Sequence, residues 1–276
     1  MRSRTGAEFR IFVAYPHAPP PASGYPVVYV LDANATFGTV TEAVRLQSAR
    51  PEATGVTPAV VVGIGYPTDL PLDPVRRTFD YTPNVDPFAL GSRPDGSDWP
   101  PTGGADAFLD FIEDELKPAV VGMAPIDPHR QALFGHSFGG LFTLYTLFRR
   151  PEAFQTFVAG SPSIWFGNGA ILAAEKEFSS NLETVASARS VLIAVGGLEQ
   201  TPPSVRDGAK QREFEARASW IVRNRMVDNA KEMAGRLESL SGRGLRVRYE
   251  EFPGENHVSV IPPLVSRALR FALAPR

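Results

Sequence analysis

The apolar residues of this chain come mostly in short, unbroken runs. Residues 27–31, 59–64, 157–159 and 191–195 each read as a strand covered on both faces, because a strand with one wet face would alternate. Residues 130–134, polar at Arg130 and Gln131 and apolar after them, read as a short buried strand. Residues 9–15 and 245–252 alternate in part, which predicts outer strands. Helical patterns fall between these runs, at 37–50, 105–121, 141–149 and 261–273. Within 105–121, Phe108, Phe111, Ile112, Leu116 and Val120 share one face. Buried strands alternating with helices predict an α/β fold with a mostly parallel sheet wrapped on both sides. No internal repeat or domain boundary interrupts residues 1–276, so one domain is expected.

Two segments break the rhythm. Residues 69–104 are rich in Pro, Gly and Asp. A connection that long inside a domain usually has a function, and it is expected to be a substrate or lid loop. Residues 207–240 are highly charged and helical. They fit either a cap element or a solvated helix packed on one face.

Composition narrows the function. The chain is 43% hydrophobic, enough for one large core, and carries a net charge of −2 with no basic run. Nucleic acid is therefore not an expected partner. Cys is absent, which excludes disulfides, thiolate metal sites and a Cys nucleophile. No metal or cofactor is expected. No apolar run is long enough to span a bilayer, and no signal-peptide pattern opens the chain. A cytoplasmic location is the expectation for the sequence as given, with the periplasm as the alternative if an upstream segment is missing.

The chemistry enters at Gly135-His136-Ser137-Phe138-Gly139-Gly140. This fits the G-x-S-x-G nucleophile elbow, a strained strand-to-helix turn that lifts a serine clear of the backbone. The context agrees, with an apolar strand before it and an apolar helix after it. The glycines are expected where a Cβ would clash between closely approaching backbones. The base should be His257, in Pro253-Gly254-Glu255-Asn256-His257, between the last strand and the last helix. His17, His129 and His136 are expected to be a solvated, a capping or turn, and a packing residue, respectively. The acid should follow residues 191–195, which makes Glu199 the candidate; Asp207, Glu255 or a backbone carbonyl are alternatives. The chain order Ser, acid, His is that of α/β-hydrolases. The oxyanion hole should use the N–H groups of Phe138 and of Ala33, in the loop Leu31-Asp32-Ala33-Asn34. Ser137 would then attack an ester carbonyl of a small-molecule substrate.

Five segments occur in a telling order: Tyr29 to Asn34, Arg76-Arg77-Thr78-Phe79-Asp80-Tyr81-Thr82-Pro83, Gly135 to Leu141, Ser161-Pro162-Ser163-Ile164-Trp165 and Gly254 to His257. Together they resemble the esterase D-like family of α/β-hydrolases over nearly the whole chain. Within it they are most similar to the siderophore esterases that cleave ferric enterobactin and salmochelin. The resemblance implies an α/β-hydrolase fold, a serine carboxylic-ester hydrolase and an iron–siderophore complex as substrate. It also implies that Arg77, or its neighbour Arg76, contacts the trianionic substrate, the other reading being that one of them pins the loop through Asp80. Trp165 would wall the pocket or pack in the core. Ala33, Phe138 and Val258 depart from the Gly, Tyr and Gly usual there. A general carboxylesterase, an acyltransferase and a non-catalytic binding homologue are the alternative functions.

Overall fold

The computed structural model describes residues 1–182, 188–202 and 211–275. Strands β1 (Arg10–Ala14), β2 (Tyr25–Leu31), β3 (Val60–Gly65), β4 (Ile126–His136), β5 (Thr156–Gly160), β6 (Arg189–Gly196) and β7 (Leu245–Phe252) form one sheet in the order β1-β3-β2-β4-β5-β6-β7. β1 runs antiparallel to β3, and every other pair is parallel. The unbroken apolar runs follow from this arrangement. Tyr29, Leu133, Phe157 and Val191 pack into the core on one face, while their neighbours Val30, Phe134, Val158 and Leu192 pack into the core on the other. Among the described residues β7 pairs only with β6, and it alternates as an edge strand should: Val247 and Tyr249 pack inward, whereas Glu250 meets Arg248 and Arg267.

The main helices are α1 (Ala33–Gln47), α2 (Pro74–Tyr81), α3 (Ala105–Phe111), α4 (Phe138–Arg149), α5 (Ile171–Asn181), α6 (Gln211–Asn224), α7 (Met226–Glu238) and α8 (Ile261–Ala272). Helix α3 continues through a π turn at Ile112–Leu116 into Lys117–Val121. Two segments differ from the sequence expectation. The segment 69–104 contains helix α2, started by the Asp73 carboxylate, which accepts N–H bonds from Val75 (3.2 Å) and Arg76 (2.9 Å), with Pro74 at the first position. Capping, not apolar periodicity, was the signal for this helix. The charged stretch is two helices, α6 and α7, broken at Arg225 (φ 46°); residues 207–210 lie outside the described residues. Among the described residues no helix is long and apolar enough to cross a membrane.

The elbow's sterics fall on different glycines than the motif suggests. A Cβ on Gly135 would lie 2.1 Å from the Gly139 carbonyl oxygen, so Gly135 is required. A Cβ on Gly139 would meet Leu31 at 3.5 Å and Asp32 Oδ2 at 3.7 Å, both ordinary contacts. The close approach on the helix side is at Gly140, where a Cβ would sit 2.5 Å from Gly160 O. Gly135 and Gly140 thus let α4 dock against the sheet, while Gly139 supplies only its backbone. Gly135→Ala should lose at least about 2 kcal/mol of stability through overpacking, whereas Gly139→Ala should stay within about 1 kcal/mol of wild type. Urea unfolding measures both. Equal losses would contradict this steric assignment.

Candidate active site

Parallel strands bring the ends of β2, β4, β5 and β6 to one edge of the sheet, and the site lies there. Ser137 follows β4 at φ 62°, ψ −118°, a conformation that costs a non-glycine residue roughly 1–3 kcal/mol. The backbone over-determines it. Ser137 N–H donates to Gly160 O (2.9 Å), and its carbonyl accepts from Leu141 (3.0 Å) and Ser163 (3.2 Å). Of the non-glycine residues with positive φ among those described, Asp32 and Ser161 also sit at this edge, so local strain is concentrated at the site.

His257 Nε2 lies 3.0 Å from Ser137 Oγ, and its Nδ1 lies 2.5 Å from Glu199 Oε2. The carboxylate requires the proton on Nδ1, which leaves Nε2 to accept the serine proton. The Glu199 side chain is fully buried, while that of His257 is 42% exposed. The acid is therefore walled off from water and the base faces the substrate side. Glu199 Oε1 accepts from Ser161 Oγ (2.5 Å) and from Gly196 N–H (2.7 Å), so each oxygen has a partner. Of the alternative acids, Glu255 contributes its backbone carbonyl, which accepts Leu198 N–H, and Asp207 lies outside the described residues. The loop before His257 is set by Asn256, whose Oδ1 accepts the N–H groups of Val258 and Ser259.

Ala33 and Phe138 open α1 and α4, so their N–H groups have no intrahelical acceptor. β2 pairs with β4, and Gly139 approaches Leu31 and Asp32, which places both helix starts beside the elbow. This is the arrangement an oxyanion hole needs. His136 packs against the base, its ring tilted by 44° with the centroids 4.7 Å apart, and its Nε2 is buried without a hydrogen-bond partner. Burial, His257 and Arg77 hold its pKa well below the ordinary imidazole value.

The two arginines are both paired. Arg77 donates through Nε and Nη2 to the two Asp32 oxygens at 3.0 and 2.9 Å. Arg76 reaches Asp80 at 3.4 Å and lies over the Phe9 and Tyr66 rings, the loop-pinning arrangement. Trp165 is half-buried in an aromatic wall with Phe138 (6.1 Å between centroids), Trp99 (6.2 Å) and Trp220 (5.1 Å). All three tryptophans of the chain meet here, from the segment 69–104, from the turn after β5 and from α6. The charged stretch thus reaches the rim of the site through Trp220.

Sequence reasoning missed the roles of Asp32 and Ser161, although both lie in segments it singled out. A carboxylate directly before the expected oxyanion donor, and a serine followed by Pro just past a buried strand, were the available signals. It missed Trp99 and Trp220 because contacts between distant segments leave no local pattern.

Ser161→Ala removes one of the three donors to a buried carboxylate. A hydrogen bond to a charged group contributes about 1.5–3 kcal/mol, so kcat toward a small neutral ester should fall about 10-fold or more, with KM little changed. Unchanged kcat would mean that Ser161 does not orient Glu199. The second expectation concerns pH. Unfolded His136 binds a proton as pH falls below about 6.5, whereas the folded residue stays neutral, so stability is lost on the acid side by up to about 1.4 kcal/mol per pH unit. Urea unfolding at several pH values should show a shallower acid slope for His136→Gln than for wild type. Parallel slopes would contradict a neutral His136.

The sequence matches the family described as "Putative esterase" over residues 3–259. It is 48% identical over 267 residues to the ferri-bacillibactin esterase BesA of Bacillus subtilis (strain 168), covering 97% of this chain and 85% of that protein. It is 41% identical over 251 residues to the siderophore enterobactin esterase of Emericella nidulans, covering 88% of this chain and 80% of that one. Among solved structures, the BES protein from Bacillus cereus superposes with a TM-score of 0.86 at 40% identity, covering 100% of this chain and 94% of that one. The chain therefore belongs to this esterase family, has the α/β-hydrolase fold and is a carboxylic-ester hydrolase.

Proposed function

We propose that the protein hydrolyses the ester bonds of a catecholate siderophore through an acyl-enzyme on Ser137. The observation that carries the reading is the continuous relay from Ser137 through His257 to the buried Glu199, set against an aromatic wall. His257 Nε2 takes the serine proton as Oγ bonds to the ester carbon. The N–H groups of Ala33 and Phe138 receive the charge that develops on the carbonyl oxygen. Collapse of the tetrahedral intermediate breaks the bond to the alcohol, which leaves with the proton from His257. Water then adds by the same route, His257 again taking and returning a proton, and the acid is released.

The substrate class has two supports. The relatives carry the names of esterases for bacillibactin and enterobactin. The wall of Trp99, Phe138, Trp165 and Trp220 offers aromatic faces on which planar aryl groups of a bulky ester can stack. Since Arg76 and Arg77 are held by carboxylates, recognition in this reading rests on the aromatic wall and not on an unpaired guanidinium.

The test uses wild type and Ser137→Ala on p-nitrophenyl butyrate and on enterobactin, iron-free and ferric, followed by chromatography of the products. Wild type should release linear dihydroxybenzoyl-serine fragments, and Ser137→Ala should lose at least about 10³-fold in kcat on every ester. Turnover of the simple ester with an intact trilactone would remove the siderophore from the account. Retained turnover in Ser137→Ala would remove the site.

A further inference from the structure

One helix grips the turn that presents the Ala33 N–H group. Arg77 and Tyr81 are four residues apart on α2 and leave the same face. Both reach Asp32. The Arg77 guanidinium holds both carboxylate oxygens, and the Tyr81 hydroxyl oxygen accepts the Asp32 N–H at 3.2 Å. Asp32 has left-handed φ and ψ of 52° and 42°, and this single residue turns the chain from β2 into α1. Its conformation sets the direction of the next N–H, that of Ala33. The same guanidinium lies 5.5 Å from the ring of Phe138, the residue that carries the other donor.

Charge gives a second reason for the grip. A Cβ built on Gly139 would lie only 3.7 Å from Asp32 Oδ2, so this carboxylate borders the first turn of α4. That turn is where the oxyanion is to be stabilised. An unpaired carboxylate there would oppose the developing negative charge through a medium that screens poorly, since the Asp32 and Arg77 side chains are only 6% and 12% exposed. Burial alone would pull the Arg77 pKa down, but Asp32 more than offsets it, and the guanidinium stays charged.

We infer that Arg77 is a positioning residue of the oxyanion hole: it fixes Asp32 so that the Ala33 N–H is aimed, and it cancels the charge of a carboxylate that borders the hole. It acts through Asp32 and not by touching substrate. The inference rests on Ala33 and Phe138 being the oxyanion donors for Ser137.

The experiment measures kcat and KM per folded molecule on p-nitrophenyl butyrate, which has no charge for an arginine to bind. Arg77→Gln should lower kcat about 10- to 100-fold, a share of what loss of an oxyanion donor costs, with KM within about threefold of wild type. Asp32→Asn/Arg77→Gln removes both charges and keeps a residue that tolerates left-handed backbone; it should recover at least about 3-fold of that loss and stay below wild type, because the grip on the turn is still missing. If Arg77→Gln does not fold, Arg77→Lys serves, because lysine keeps the charge but cannot hold both oxygens; its kcat should fall at least about 5-fold. Wild-type kcat in Arg77→Gln or Arg77→Lys overturns the inference, as does a double variant no faster than Arg77→Gln. Ser137→Ala in the same assay separates the two levels. If it is inactive, a negative result falls on Arg77 alone; if it still turns over, the site and this inference fall together.

Discussion

A fully buried carboxylate with a donor for each oxygen holds the site together. Moving a carboxylate out of water costs several kcal/mol unless its oxygens are satisfied, and Glu199 meets that condition with three donors. Ser161 follows β5, Gly196 ends β6, and His257 follows β7, so one side chain ties three neighbouring strand ends. Ser137 follows β4, the next strand in the sheet, and its N–H is bonded to the end of β5. A parallel sheet brings all these ends to one edge; the buried acid converts that coincidence into a fixed distance of 3.0 Å between base and nucleophile.

The same edge carries the backbone strain. Asp32, Ser137 and Ser161 all have positive φ, at roughly 1–3 kcal/mol each. Each is locked by a contact from another element: Arg77 and Tyr81 on Asp32, Gly160 O on Ser137 N–H, and Ala194 O on Ser161 N–H. The apolar cores on both sheet faces supply the stability that tolerates these conformations. The two carboxylates nearest the chemistry are also both paired, Glu199 with the base and Asp32 with Arg77, so neither stands as a free negative charge beside the developing oxyanion.

Much of this could be read from the residues, for physical reasons. Strands covered on both faces must be apolar throughout, so β2, β3 and β6 stand out in the chain. The alternation of residues 245–252 marked the edge. Ser137, Glu199 and His257 were legible because an elbow, a post-strand acid and a post-strand histidine occupy positions that the topology dictates. Helix α2 escaped because it is short and its evident signal is a cap. The partner of Arg77 escaped because Asp80, close in sequence, competes on paper with Asp32, which only the fold brings near. The rule that a motif glycine avoids a Cβ clash applied to Gly135 but not to Gly139, where a Cβ would meet only ordinary van der Waals contacts.

The central claim is that Ser137 carries the acyl group. Rapid acid quench during turnover of a slowly deacylated aryl ester, followed by peptide mass spectrometry, tests it most directly. The account predicts an acyl adduct on Ser137 in wild type that is absent from His257→Ala. Full turnover with no adduct on Ser137, or with the adduct on another residue, would contradict it.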